Sequence, residues 1–176
     1  GGVPPGEAGD EWLAVLSGEV EVGPDGTVEG RSRFGSVCVA GCLLRDGAWF
    51  YELRLLTGGV MQLGFATPSF RASDDNGDGV GDDPASFAYD GVRRQRWSGT
   101  SAEYGAEWHA GDVVGCRLDL EEGEMRFYLN GEDLGTAFDA KALAAALAST
   151  PSGAAEDCSW LHPAVGLFDD DSEDAP

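Results

Sequence analysis

The sequence predicts an all-β sandwich, and three observations predict it. Short apolar and aromatic runs alternate with polar residues at a period of two, which is typical of half-buried strands. Glycine is frequent, with 27 residues among 176, and it separates these runs rather than forming a low-complexity tract. Strands this numerous and this apolar on one face need a second sheet to cover them.

The strands follow in chain order from this alternation. In residues 49–55 the odd positions are apolar or aromatic, while Glu52 and Arg54 fall on the other face. A three-stranded meander is predicted over 113–138, because two more alternating runs are followed by Asn130-Gly131, which accepts the positive φ of a type I′ turn. Further strands are predicted at 36–44, 60–66, 86–90, 93–97 and 160–168. The strand period turns four aromatic residues toward the core: Trp49, Tyr51, Trp108 and Phe127.

Residues 139–149 depart from the β pattern. They are rich in Ala and Leu, and Asp139 can cap the first turn, so a short helix is predicted with Leu143 and Leu147 on one narrow apolar stripe. The stretch after it is expected to be flexible. The predicted organisation is an N-terminal extension at 1–18 that packs on the domain, a domain at 19–168 with a helical and flexible insertion at 139–158, and an acidic linker at 169–176.

The chain is strongly acidic. Its 32 Asp and Glu against 11 Lys and Arg give a formal net charge of −21 and a pI near 4.1. A nucleic-acid duplex repels such a surface, so nucleic acid is not expected as a partner. No run approaches the roughly 18 apolar residues of a membrane span, and residues 1–5 lack the regions of a signal peptide. We therefore expect a soluble, cytoplasmic protein without membrane contact, monomeric as an isolated domain.

The four cysteines are expected to be reduced and structural. They form no CxxC pair, and Cys38 and Cys42 would lie about 13 Å apart if they shared one extended strand, which is too far for a disulfide. Cysteines without a pairing pattern are typical of a reducing compartment. The other two are Cys116 and Cys158.

Catalytic and metal motifs are scarce. His109 and His162 are the only histidines, and no G-x-S-x-G motif is present, so a nucleophile and base pair has no anchor. Residues 74–79 reproduce the first half of an EF-hand loop, with oxygen ligands at positions one, three and five and glycine at six. The twelfth position is Ala85 instead of a bidentate Glu, so an acidic connection without bound calcium is the favoured interpretation.

Three of the ten arginines, Arg93, Arg94 and Arg96, precede Trp97. Guanidinium groups pair bidentately with carboxylate or phosphate, so this run could anchor an acidic peptide. It could equally be a strand whose alternate arginines face solvent and neutralise the acidic loop at 74–83. Both interpretations stay open at this point.

Taken together, the motifs resemble the SPRY domain, the core of B30.2 domains. The resemblance covers about residues 31–168, and it is closest to SPRY domains within large RING and HECT ubiquitin ligases, with some similarity to a ryanodine-receptor SPRY domain. Gly79-Val-Gly-Asp-Asp83 and the following Ser86-to-Arg93 stretch carry the ligase likeness. The matching stretches stand in family order at 47–53, 59–68, 79–91, 104–116, 127–131 and 134–138.

This resemblance implies a bent antiparallel β-sandwich of the concanavalin-like jelly-roll type, with no catalytic activity and no cofactor. Loops at one end of the sandwich are expected to bind a short segment of a partner or substrate protein. The chain departs from the family pattern in two places. The 139–158 stretch looks inserted, and an acidic tail stands where a last strand is expected after Phe168.

The resemblance also suggests which residues contact the partner. In the SPRY domain of an Ash-type histone methyltransferase subunit, an arginine and tyrosine pocket accepts an acidic segment, and alignment puts Gln62, Asp82 and Asp90 at those positions. Because the basic groups are replaced, a neutral or basic segment is expected. The predicted partner-binding residues are Gln62, Asp82, Asp83, Tyr89, Asp90, Arg94 and Trp97.

A protein-interaction module within a larger ubiquitin ligase is thus the leading functional prediction. One alternative is a lectin-like domain that binds carbohydrate or calcium, since β-sandwiches also carry such sites. A second is an architectural domain that packs only against its own chain, as in a large receptor. A hydrolase is disfavoured by the missing nucleophile and base.

Overall fold

Two antiparallel sheets and one short helix make up the computed structural model, which describes residues 12–71, 73–148 and 161–168. A turn of 3₁₀ helix lies at Asp74–Asn76. The elements are β1 Leu13–Ser17, β2 Val20–Val22, β3 Val28–Gly30, β4 Gly35–Val39, β5 Ala48–Arg54, β6 Met61–Ala66, β7 Ser86–Asp90, β8 Gln95–Trp97, β9 Ser101–Glu103, β10 Val113–Asp119, β11 Glu124–Leu129, β12 Glu132–Phe138, α1 Ala140–Ala148 and β13 His162–Leu167.

The larger sheet has seven strands in the order β1-β4-β13-β6-β7-β8-β9, and the smaller has four in the order β12-β11-β10-β5. A separate hairpin pairs β2 with β3. All pairings are antiparallel, so the predicted all-β sandwich is confirmed. Among the residues described, no helix has the length and apolarity that crossing a bilayer requires.

The main core lies between the two sheets. Alternate residues of β6 and β7 face alternate residues of β10 and β11, and these side chains are buried apart from Leu129, which is partly buried. Tyr89 is central, because its ring lies 5.6 Å from Tyr104, 5.0 Å from Trp108 and 5.4 Å from Phe127 between centroids. Aromatic pairs of this kind each contribute about 0.5–1.5 kcal/mol beyond the burial of their area.

A second, smaller core covers the opposite face of the seven-stranded sheet. It joins Phe70 and Val80, from the long connection between β6 and β7, to small residues of the sheet: Cys38, Ala66, Ala88 and Ala164. The small side chains let the connection lie close to the strands. The connection is thereby held against the outer face of the sheet by apolar contacts.

The predicted meander, turn and helix are confirmed. Strands β10, β11 and β12 are consecutive in the sheet, and Asn130 and Gly131 have φ values of 51° and 82°. Asp139 accepts a hydrogen bond from the Ala142 amide at 2.9 Å and caps α1, whose Leu143 is buried against the main core.

Two predicted strands are shorter than expected, and a residue with positive φ lies just beyond each shortened end. Strand β4 ends at Val39 because the chain turns at Gly41, where φ is 67°. Strand β8 begins at Gln95 because Arg94 has a φ of 52° in the preceding turn. The prediction that Cys38 and Cys42 share an extended strand is therefore wrong, although both are free thiols, as is Cys116. Cys158 lies outside the described residues.

The inward orientation predicted for Trp49 is also wrong. This side chain is 38% exposed, because β5 is an edge strand and the indole turns toward the preceding loop, where it donates a hydrogen bond to the Asp46 carbonyl at 2.6 Å. The corresponding predictions for Trp108 and Phe127 are confirmed. Tyr51 packs against the main core, and its hydroxyl donates to the Gly64 carbonyl at 2.7 Å.

The structure describes only parts of the predicted N-terminal extension and insertion, and none of the predicted linker. Residues 13–17 of the predicted extension form β1, the outermost strand of the larger sheet, next to β4. The helix occupies the first part of the predicted insertion. Residues 149–160 and the predicted linker at 169–176 lie outside the described residues.

Gly64 offers a test of how closely the strands pack. A Cβ added there would lie 2.0 Å from the Phe87 carbonyl oxygen, which is a backbone atom that cannot move aside. We expect Gly64→Ala to lower the free energy of unfolding by about 2–3 kcal/mol in urea titrations. Gly59→Ala is the matched control, because nothing lies within 4 Å of its added Cβ. Equal midpoints for the two variants would contradict the packing described.

Candidate functional site

A row of polar residues crosses the seven-stranded sheet on its outer face. The registers pair Ser17 with Ser36 and place Gly166 between Ser36 and Gln62. On the other half of the sheet Asp90 pairs with Gln95, which pairs with Glu103. In the antiparallel register of β6 and β7, Leu63 lies opposite Tyr89. Continuing that register by one residue places Gln62 opposite Asp90. In order the row is Ser17, Ser36, Gly166, Gln62, Asp90, Gln95 and Glu103.

Gln62 lies under the turn at residues 79–82 and is fully buried. In the amide orientation that satisfies both of its ends, its nitrogen donates to the Val80 carbonyl and to Asp82 Oδ2, each at 3.1 Å. The Asp82 carboxylate also accepts from the Gly79 amide at 2.8 Å. Partial burial raises the pKa of Asp82, and its hydrogen bonds with Gly79 and Gln62 oppose this shift. Gln62 and Asp82 thus tie the turn to the sheet.

Asp90 lies beside Gln62 and is also fully buried. Its carboxylate accepts a hydrogen bond from the Arg93 amide at 3.1 Å and forms an ion pair with the Arg93 guanidinium. That guanidinium stacks 4.4 Å from the centroid of the Trp97 ring. Arg93 therefore neutralises a buried charge and covers the Trp97 ring at the same time.

The ring of Phe34 fills space that two glycines leave open. A Cβ on Gly79 would lie 2.2 Å from the Phe34 ring, and one on Gly166 would lie 2.7 Å from it. Only glycine lets the ring lie this close to both the turn and the sheet. Phe34 then contacts Phe168, with the ring centroids 5.9 Å apart.

Phe34, Phe168 and Arg93 line a hollow at one end of the sandwich. It has a volume of about 220 Å³ and opens to solvent. Two arginines and one asparagine provide its polar lining, and two phenylalanines and one valine provide apolar walls. The lining residues are Arg33, Phe34, Val60, Asn76, Gly77, Arg93 and Phe168.

Comparison with known proteins shows the family. The sequence profile of the SPRY domain matches residues 48–153, which is more than half of the chain. The chain belongs to the SPRY family. This SPRY domain is also similar to the E3 ubiquitin-protein ligase RKP of Arabidopsis thaliana, with 39% identity over 137 residues. The match covers 78% of the chain and 10% of the length of RKP. SPRY domains are non-catalytic β-sandwich domains that bind proteins.

The structure divides the seven residues that the sequence suggested for partner binding. Arg94 is exposed, and three others are half-buried: Asp82, Asp83 and Trp97. Gln62, Tyr89 and Asp90 have no exposed surface, so a partner cannot contact these three predicted side chains in the structure described. Gln62 and Asp90 form the floor beneath the turn.

Tyr89 points to the opposite side of β7, because neighbouring residues of a strand face opposite sides of the sheet. Its hydroxyl donates to the Ala106 carbonyl, and burial raises its pKa to about 12. Asp83 accepts a hydrogen bond from the Ala85 amide at 2.6 Å and shapes the loop before β7. Neither residue lines the hollow.

The three arginines take different positions, so neither interpretation of the run, as a peptide anchor or as a solvent-facing strand, describes all of them. Arg93 pairs with Asp90, Arg94 points from a turn, and Arg96 lies over the Phe138 ring at 5.1 Å. Only Arg93 lines the hollow.

None of the seven lining residues is among those predicted for partner binding. Arg93 belongs to the arginine run, and Asn76 and Gly77 to the stretch that resembles an EF-hand loop. The other four were missed altogether: Arg33, Phe34, Val60 and Phe168. They come from three separate stretches of the chain, so no single motif holds them together. A usable signal existed only for Arg33, which stands in Arg31-Ser32-Arg33-Phe34 just before a predicted strand. Among the described residues, no group of three or more His, Cys, Asp and Glu side chains could hold a metal ion.

The ion pair beneath the hollow gives a stability prediction. Arg93→Ala leaves the buried Asp90 carboxylate without its counter-ion, so the free energy of unfolding should fall by about 3 kcal/mol in urea titrations. Adding Asp90→Asn to this variant should recover part of the loss, because the buried charge is then gone. The exposed Arg94→Ala should change stability by less than about 0.5 kcal/mol. Equal effects of the two single arginine variants would contradict the pairing.

Asp82 gives a prediction for pH dependence. Because its pKa is raised in the folded protein, the folded state holds the proton more tightly than the unfolded chain, where the ordinary pKa of 3.8 applies. The ionised group therefore lowers stability at neutral pH, and this penalty disappears as the pH falls through the raised pKa. Asp82→Asn removes the group, so its free energy of unfolding minus that of the parent should be more positive at pH 7 than at pH 4. A difference independent of pH would contradict the raised pKa.

Proposed function

We propose that this SPRY domain binds a short segment of a partner or substrate protein in the hollow. The observation that supports this most directly is the hollow itself, with apolar walls and a few polar groups at the loop end of the sandwich. Its volume of about 220 Å³ is below the roughly 300–1,000 Å³ of small-molecule pockets. It suits one or two side chains of an extended peptide.

The walls of the hollow are held in place before any partner arrives. Val60 directly precedes β6 and Phe168 directly follows β13, two neighbouring strands of the larger sheet. Arg93 is held by Asp90, and Phe34 is held between Gly79 and Gly166. A preformed site lowers the ordering entropy that binding must overcome, so a short segment can bind with useful affinity.

We propose that the segment is neutral or basic overall. Asp75 and Asp78 lie in the loop beside the hollow and keep exposed surface, and the whole chain carries a net charge of −21. A segment rich in acids would meet this field on approach. The sequence analysis based the same charge preference partly on Asp90, but Asp90 is buried and already paired with Arg93. The proposal therefore rests on the exposed acids of the loop and on the net charge.

We also propose that the domain recognises a substrate within a larger ubiquitin ligase. The support is the similarity to RKP, which is named as an E3 ubiquitin-protein ligase. The chain spans only 10% of the length of that protein, so a ligase activity would belong to other parts of the polypeptide. In this arrangement the SPRY domain holds the substrate and performs no chemistry.

The experiment is selection of peptides from a displayed random 12-residue library, followed by calorimetry with the enriched peptides. Val60→Trp places an indole in the hollow and should weaken binding at least tenfold. Phe50→Trp is the control, because Phe50 is 54% exposed on the smaller sheet, away from the hollow. Circular dichroism confirms that both variants are folded.

Two results would contradict the proposal. One is a library that yields no enriched peptide. The other is a set of peptides whose affinity is unchanged by Val60→Trp, because they would bind elsewhere. In the full-length polypeptide, Val60→Trp should reduce ubiquitination of the bound protein while leaving self-ubiquitination unchanged.

A further inference from the structure

Arg33 differs from the other charged groups of the hollow. Its side chain is half-buried, and no hydrogen bond or ion pair to its guanidinium comes from the residues that the structure describes. The guanidinium lies against Gly77, where an added Cβ would be 3.1 Å from Arg33 Nε. A partly desolvated charge without a counter-ion favours binding of an opposite charge.

Arg93 cannot take the same role. Its guanidinium forms an ion pair with the buried Asp90 carboxylate and stacks on the Trp97 ring. The two charges of this pair cancel, and a ligand that withdrew Arg93 would leave a buried carboxylate unpaired. Among the described residues that line the hollow, Arg33 therefore presents the one uncompensated positive charge.

The surroundings of Arg33 suit a carboxylate. Phe34, Val60 and Phe168 supply apolar walls, which lower the local dielectric constant and strengthen a charge-assisted hydrogen bond. A planar guanidinium forms two parallel hydrogen bonds with a carboxylate. A phosphate dianion fits less well, because only one unpaired cation faces it and the chain carries a net charge of −21.

We propose that Arg33 binds the carboxylate of one Asp or Glu side chain within a partner segment that is otherwise neutral or basic. This inference rests on the proposed function, because it assigns the chemistry of a segment bound in the hollow. The acid enters the hollow, and neutral or basic neighbours pass over the loop that contains Asp75 and Asp78. A segment of this kind satisfies both the local positive charge and the surrounding negative field.

The test is a double-mutant cycle with the tightest enriched peptide from the displayed library. The peptide is compared with a version in which its Asp or Glu is replaced by Asn or Gln, against the parent, Arg33→Gln and Arg33→Lys. Calorimetry is performed at about 0.15 M salt, where the Debye length is near 8 Å and long-range repulsion is screened. Arg54→Gln is the matched control, because Arg54 is exposed on β5 of the smaller sheet and does not line the hollow.

We expect the amide peptide to bind the parent and Arg54→Gln about tenfold more weakly than the acid peptide. With Arg33→Gln the two peptides should differ by less than about twofold. Arg33→Lys should give an intermediate ratio, because it keeps the charge and loses the planar fork. Urea midpoints equal to that of the parent show that the Arg33 variants are folded.

The outcomes separate this inference from the proposed function. Two outcomes overturn the role of Arg33 alone, both with peptides that lose binding with Val60→Trp. In one, the peptides contain no Asp or Glu. In the other, the ratio of acid-peptide to amide-peptide affinity is the same with Arg33→Gln as with the parent. A requirement for a phosphorylated residue in place of the acid also overturns it. Peptides insensitive to Val60→Trp, or no enriched peptide, overturn both.

Discussion

Two buried polar side chains of the larger sheet each need a partner, and this need determines how the loop end of this SPRY domain is built. Gln62 and Asp90 lie side by side on the outer face of the larger sheet with no exposed surface. Burying such groups without partners costs several kcal/mol, so the chain must supply partners. Val80 and Asp82 satisfy Gln62, and Arg93 satisfies Asp90. The segments on both sides of β7 are thereby fixed to the sheet.

Strands β6 and β7 serve the core and the site at once. Their alternation sends Leu63 and Tyr89 into the core between the sheets, while the adjacent Gln62 and Asp90 hold the segments before and after β7 on the outer face. In the proposed binding mode, a partner segment meets a surface whose supports belong to the most buried strands of the domain. Binding of that kind would need no rearrangement of the sheet.

The sequence predicted the sandwich and most strands, because alternation, Asn-Gly turns and helix formers act over a few residues. It failed where distant segments decide the outcome. Polar residues are exposed by default, so the burial of Gln62 and Asp90 depends on the covering turn at 79–82, which no local pattern reveals. Arg33 and Phe168 are far apart in the sequence and meet only through the order of strands in the sheet. Of the residues that the resemblance suggested, Gln62, Tyr89 and Asp90 are buried side chains that a partner cannot touch in this structure.

Amide hydrogen exchange in the isolated domain, without any peptide, tests directly whether the hollow is preformed. The amides of Gly79 and Arg93 donate to Asp82 and Asp90, and Tyr89 in β7 serves as the core reference. We expect both amides to be protected nearly as strongly as that of Tyr89, and Gln62→Ala to reduce the protection of Gly79 selectively. Rapid exchange at Gly79 and Arg93 in the parent, while β7 stays protected, would show that the loops become ordered only on binding and would contradict a preformed site.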